Sequence, residues 1–124
     1  MLLETVRVSK RARDQLNTLK RRTGIPTWNV ICRWAFCISI AEPTPPRKDD
    51  DLGDNPVEMT WHTFAGEHHE LYLALLRALC IKDGLETDKN TFNIQLRRHL
   101  HRGIGYLVGD PNMKDIASFV GLVL

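Results

Sequence analysis

Between residues 10 and 24 the chain reads KRARDQLNTLKRRTG, six basic side chains against one acidic. Clustered lysine and arginine neutralise phosphates and release counterions, which drives binding to DNA or RNA without reading its sequence. Helical spacing puts Ala12, Leu16, Leu19 and Thr23 on one stripe. Lys10, Arg11, Arg13, Lys20, Arg21 and Arg22 spread over the opposite side. With so little acid interleaved, ion pairs along the helix do not account for the charge. Arg97, Arg98, His101 and Arg102 form a second basic face on a helical pattern at 89–108. The candidate DNA contacts are therefore Arg7, Lys10, Arg11, Arg13, Lys20, Arg21, Arg22, Arg97, Arg98 and Arg102. Aromatic residues do not interleave with them, so a stacking platform for single strands has little support.

The formal charge of the whole chain is only +2, which hides an asymmetry. Residues 1–33 hold eight basic residues against Glu4 and Asp14, a net of +6. Residues 42–58 hold six acidic residues against Arg47 and Lys48, a net of −4. A basic pole and an acidic loop in one small chain point to a charged partner more than the total does.

Other chemistries find weaker footing. The stretch GEHHEL lacks the second histidine of a zinc-protease helix, since Leu73 stands where it would be. His99 and His101 are two apart on a helix and point to different faces. Cys32, Cys37 and Cys80 sit in apolar surroundings and read as buried free thiols, not zinc ligands. Asp49, Asp50 and Asp51 are consecutive in a loop, which is poor preorganisation for a divalent ion. The GIG at 103–105 follows no strand and is no nucleotide fingerprint; close helix packing at Gly103 is the better reading. Neither a metal nor another cofactor is expected, and no catalytic constellation stands out.

The elements that must carry these residues can be placed from periodicity and caps. LETVRVS alternates as a short strand or arm, with Glu4, Val6 and Val8 on one face and Leu3, Thr5 and Arg7 on the other. Ser9 caps the basic helix, Gly24 ends it, and Pro26 prevents its continuation. Thr27 opens a helix to Ala41 that is apolar nearly all round, as suits a core or an oligomer interface. The acidic, proline-rich loop at 42–58 is expected to be mobile or to wrap a neighbouring subunit. Helices follow from Glu67 to about Gly84, from Asp88 to about Val108, and from Asp110 onward with Ile116, Phe119, Val120 and Val123 apolar. Residues 1–124 thus read as one all-α domain of about five helices with one short N-terminal strand. A strand, basic helix, turn and apolar helix in that order also allow a ribbon-helix-helix-like start, in which Thr5 and Arg7 would face bases.

Apolar residues make up 43% of the chain, enough for a core. No apolar run approaches the ~20 residues of a membrane helix, and no signal peptide is expected, so the reading is cytoplasmic. The apolar surface of the helix at 27–41 and of the last helix makes self-association an expected outlet.

ETVRVSKRARDQLNTLKRRTGIPTWNVICRWAF, the acidic loop, EHHELYLALLRA and LHRGIGYL together resemble the E-protein family of the bacterial Dnd system, DndE. That system replaces a non-bridging phosphate oxygen of DNA with sulfur, a phosphorothioate modification. The resemblance implies a small helical subunit without sulfur chemistry of its own. It would act beside a cysteine desulfurase, an iron–sulfur protein and an ATPase. It further implies a homotetramer that binds double-stranded DNA, with a preference for nicked duplex, through surface lysines. Lys10 and Lys20 with their adjacent arginines are the matching positions, and Lys82, Lys89 and Lys114 are further ones. The expected function is that of a DNA-binding accessory subunit. The alternatives are a metal-dependent nicking enzyme using Asp49–Asp51 or His68, His69 and Glu70, and an adaptor that docks an acidic protein.

Overall fold

The computed structural model describes residues 3–48 and 51–110. Its elements run β1 (Thr5–Val8), α1 (Lys10–Thr23), α2 (Trp28–Ala41), β2 (Val57–Thr60), α3 (Trp61–Ala65), a 3-10 turn (Gly66–His68), α4 (His69–Lys82) and α5 (Lys89–Gly109). The mostly helical class holds. Four of the helices are long and α3 is little more than one turn. The helix expected beyond Asp110 lies outside the described residues.

Caps fix the helix ends much as the sequence suggests. The Ser9 hydroxyl accepts from the amide of Ala12, and Asp88 accepts from the amide of Thr91. Gly24 adopts a left-handed φ of 75° and donates back to the Lys20 carbonyl. Thr27 occupies the first cap position of α2 but makes no side-chain cap bond.

A second strand, β2, was not anticipated. It pairs antiparallel with β1, setting Arg7 opposite Glu58 and Val8 opposite Val57. Val6, Val8 and Val57 turn inward, while Thr5, Arg7 and Glu58 face out. Leu3, placed by the alternation on the face of Thr5 and Arg7, is buried instead, since the strand begins only at Thr5. The partner of β1 thus comes from within the chain, unlike a ribbon that pairs across a dimer.

α2 and α5 form the largest helix–helix interface, and α1 packs on α5 beside it. Ile31, Cys32, Ala35 and Phe36 of α2 meet Leu96, Leu100 and Ile104 of α5 in the buried core. A methyl group built on Gly103 would lie 1.8 Å from the backbone oxygen of Ala35. The two helices approach that closely only because residue 103 has no side chain. Phe36 also stands edge-on to Phe64 of α3, with ring centroids 6.1 Å apart.

Two buried polar side chains, Ser39 and His99, and the part-buried Arg102 meet in this interface. The Ser39 hydroxyl lies 2.8 Å from His99 Nδ1 and accepts from Arg102 Nε at 2.9 Å. Arg102 donates again to the Ser39 carbonyl at 2.7 Å and to the Thr44 carbonyl at 2.7 Å. Burial, then the positive charges of Arg102 and Lys82, hold His99 down at a pKa of about 4. A serine beside a histidine resembles a nucleophile and its base. Here Ser39 is wholly buried and already accepts from a guanidinium, so the pair locks two helices together.

The described part of the loop at 42–58, expected to be mobile or to wrap a neighbouring subunit, is tied to the chain's own helices at several points. Lys82 Nζ donates to the Pro43 carbonyl, Arg102 to the Thr44 carbonyl, and the Lys10 amide to the Leu52 carbonyl. Prolines remove amide donors from the segment. Its carbonyls therefore take partners from the helices around it.

Two outcomes follow for stability. Gly103→Ala must displace backbone, so it destabilises by about 3 kcal/mol or more, above the usual cost of one extra methyl. Gly105→Ala meets no atom within 4 Å and is neutral or slightly stabilising, as helix propensity favours alanine. Urea unfolding of both variants measures the contrast. The second outcome concerns pH. The unfolded chain protonates His99 near pH 6.5 and the folded chain only near 4, so the unfolded state binds more protons between these values. Stability is full above the higher value and falls by up to about 3 kcal/mol as pH drops through the window. In His99→Leu the slope between pH 6.5 and 5 flattens, read from urea midpoints across pH.

Candidate nucleic-acid interface

The basic helix presents its charge as the sequence requires. Ala12, Leu16, Leu19 and Thr23 are buried, which turns the remaining faces of α1 to solvent. Lys10, Arg11, Arg21 and Arg22 are exposed, and Arg13 and Lys20 half-buried. At about 100° per residue, Lys10, Asp14, Asn17 and Arg21 run down the middle of the outward face. Arg13 and Lys20 flank it on one side, and Arg11 and Arg22 on the side of α5.

Few of these cations are neutralised by the described residues. Arg13 lies 4.0 Å from Asp14, a loose surface pair worth little. Arg21 donates to the Thr18 hydroxyl and Arg22 to the Val108 carbonyl, both neutral acceptors. Lys20 Nζ stands 5.4 Å from the Trp28 ring centre, which steadies the side chain and keeps its charge. The described acidic loop meets the start of the helix, where the Lys10 amide donates to the Leu52 carbonyl. Asp51 itself accepts from the Gly53 amide.

The remaining basic candidates divide. Arg7 is held by Glu58 across the sheet at 2.9 Å, so its charge is partly cancelled. Arg102 is a structural tie, its guanidinium bonded to Ser39 and Thr44. His101, counted with the second basic face, is buried, and its Nε2 accepts from the Ser9 amide. The helix at 89–108 therefore does not present one open basic face. Arg97 lies beside Arg7 and Lys89 in a shallow groove. Arg98 and Arg102 border a cleft against α1, together with Arg11. Arg47 and Tyr106 complete that cleft, although neither stood out in the sequence. Of the further lysines, Lys82 bonds Pro43 and Lys89 pairs with Glu4 at 3.3 Å. Lys114 lies outside the described residues.

Arg33, counted in the N-terminal charge, faces inward instead. It donates to the carbonyls of Thr63 and Phe64 at the end of α3. A cation at a helix C-terminus is favoured by the unpaired carbonyls there.

The candidates for other chemistry stand apart. Among the described residues no three histidine, cysteine, aspartate or glutamate side chains gather as metal ligands would. Asp49 and Asp50 lie outside the described residues. His68 pairs with Glu67, while the His62 and His69 rings meet at 5.4 Å. Cys32 and Cys80 are buried as expected, and burial pushes the Cys32 thiol up to about 12. Cys37 is exposed, contrary to expectation, because it lies on the side of α2 away from α5. No helix among the described residues is long and apolar enough to cross a membrane.

Comparison with known proteins agrees with the fold. The family model of the DNA sulphur modification protein DndE matches residues 5–115. The crystal structure of DndE from Escherichia coli B7A, involved in DNA phosphorothioation modification, superposes with a TM-score of 0.69 at 27% identity, covering 86% of this chain and 99% of that one. No curated protein matches. The chain belongs to the DndE family.

Proposed function

We propose that this DndE-family chain is a DNA-binding accessory subunit of a phosphorothioation complex, working beside the other Dnd proteins in the cytoplasm. It holds duplex DNA, intact or nicked, and leaves the sulfur chemistry to its partners. The observation that carries this is the outward half of α1. Six cations share it with one loosely paired acid, Asp14, and the other side of the helix is buried. Such a surface meets phosphates and has no base-reading code, since phosphate contacts position a protein without specifying sequence. The E. coli relative's involvement in phosphorothioation supplies the setting.

Self-association is part of the same reading, and α4 supports it. Leu71, Ala74, Ala78 and Ile81 form an exposed apolar stripe at helical spacing, with Leu71 57% and Ile81 63% exposed. Covering that stripe with a second copy would repeat the basic face, and repetition multiplies weak phosphate contacts. A tetramer repeats it four times.

Reversing Lys10, Lys20 and Arg21 to glutamate together should lower affinity for every duplex sequence at least about tenfold and reduce the salt slope by about three. Fluorescence anisotropy with intact and nicked duplexes at two salt concentrations measures both. A folded triple variant with unchanged affinity would sink the DNA assignment and favour a protein-docking role. Ile81→Glu should shift the assembled protein toward monomer in size exclusion with light scattering. A wild-type chain that is already monomeric would remove the oligomer reading.

A further inference from the structure

α1, the segment after α2, and α5 enclose a half-open cleft of about 450 Å³. Arg11, Arg47, Arg98 and Arg102 line it, and Tyr106, 46% exposed, forms one edge. No carboxylate stands among its described lining residues, although the Tyr106 hydroxyl donates to Glu42 Oε2 at 3.5 Å on that edge of the cleft. Arginine stays charged at every accessible pH, so the Arg11, Arg47 and Arg102 guanidinium groups around one concavity repel one another. Where Arg7 meets a similar problem at the sheet, Glu58 offsets it. In the cleft, Arg102 donates to three neutral oxygens, which fixes the group without cancelling its charge. Arg11 and Arg47 have no hydrogen-bond or ion-pair partner among the described residues. A concave surface with an excess of positive charge concentrates the potential and draws in an anion.

The same tie builds the cleft. By holding the Thr44 carbonyl, Arg102 hangs the segment that carries Arg47 opposite α1. The volume is that of a small-molecule site and exceeds the need of a lone ion. Guanidinium forks match phosphate oxygens in pairs, and the exposed Tyr106 ring offers a flat wall for a base.

We propose that this cleft is a phosphate-ester site, in which Arg11 and Arg47 grip the phosphate of a nucleotide and Tyr106 backs its base. The ester belongs to a nucleotide of a DNA strand or to a free nucleotide. In the first case the site rests on the DNA-binding reading; in the second it stands without it. Arg102 is a positioning residue that supplies fixed charge and holds Arg47 in place.

The test is titration of deoxyadenosine 5′-monophosphate into the full chain, followed by the amide NMR signals of Arg11, Arg47 and Tyr106. These signals should move saturably, and neither deoxyadenosine nor acetate should reproduce the effect. Arg47→Glu, at an exposed position, should keep the fold by circular dichroism and weaken binding at least about tenfold. Absence of a saturable shift, an equal response to deoxyadenosine or acetate, or unchanged affinity in Arg47→Glu would overturn the proposal. Competition then identifies the source. Displacement of a labelled duplex by the mononucleotide supports a strand, and simultaneous binding of both supports a free nucleotide. Lys20→Glu with Arg21→Glu, outside the cleft, should reduce duplex affinity and leave mononucleotide binding intact. A chain that binds the mononucleotide but no duplex loses the accessory reading and keeps the cleft. One that binds duplex but no mononucleotide does the reverse.

Discussion

The backbone contact between α2 and α5 at Gly103 is the constraint on which the rest depends. Packing two helices this closely brings Ser39 within reach of both His99 and Arg102, one turn apart on α5. It also places the end of α2 where Arg102 can reach past Ser39 to the Thr44 carbonyl. A side chain at 103 would push α5 away by more than the length of a hydrogen bond can absorb. The core, the polar lock and the direction taken by the chain after Ala41 are therefore one feature. α1 joins it through α5, since the buried His101 accepts from the amide of the residue that caps α1.

Positive charge in this chain does three different jobs. Arg33 and Arg102 face backbone carbonyls and hold elements together. Arg7 and Lys89 pair with carboxylates at the sheet and beside it. The cations of α1 bond at most to neutral acceptors or to a loosely placed acid, and so keep a net field facing outward. A count of basic residues overstates the candidate interface by including the first two groups. The distinction matters because a guanidinium bound to carbonyls contributes charge but cannot rearrange to follow a phosphate, whereas an exposed one can.

What the sequence revealed follows the range of the interactions involved. The ends of α1 and α5 depend on Ser9, Gly24 and Asp88, each acting within a few residues, and they were legible. The tight packing at Gly103 was legible too, since a glycine on an apolar helical stripe has few other uses. β2 was not, because VEMT has little alternation of its own and becomes a strand through pairing with residues about fifty positions earlier. The role of Arg102 was hidden for the same reason: Arg97, Arg98 and Arg102 look alike until Ser39 and Thr44 arrive beside one of them. Arg47 read as a loop charge because its position depends on that long-range tie. The face of α1 was readable from helical period, while the cleft had to be built by the fold.

The chemistry of Arg102 also explains why the buried histidine must stay neutral. The Ser39 hydroxyl already accepts from a permanent cation, and a protonated His99 would bring a second one to the same oxygen. With His99 neutral, Ser39 can accept from Arg102 while its own proton or that of the imidazole completes the chain. Lysine in place of Arg102 would not serve. A planar guanidinium reaches the Ser39 hydroxyl, the Ser39 carbonyl and the Thr44 carbonyl at once, from three nitrogens in fixed relation. An ammonium is a single point and would hold the helix end or the following segment, not both. That tie fixes the segment after α2 beside the cleft between α1 and α5, so a part-buried side chain helps to determine what can approach the basic surface.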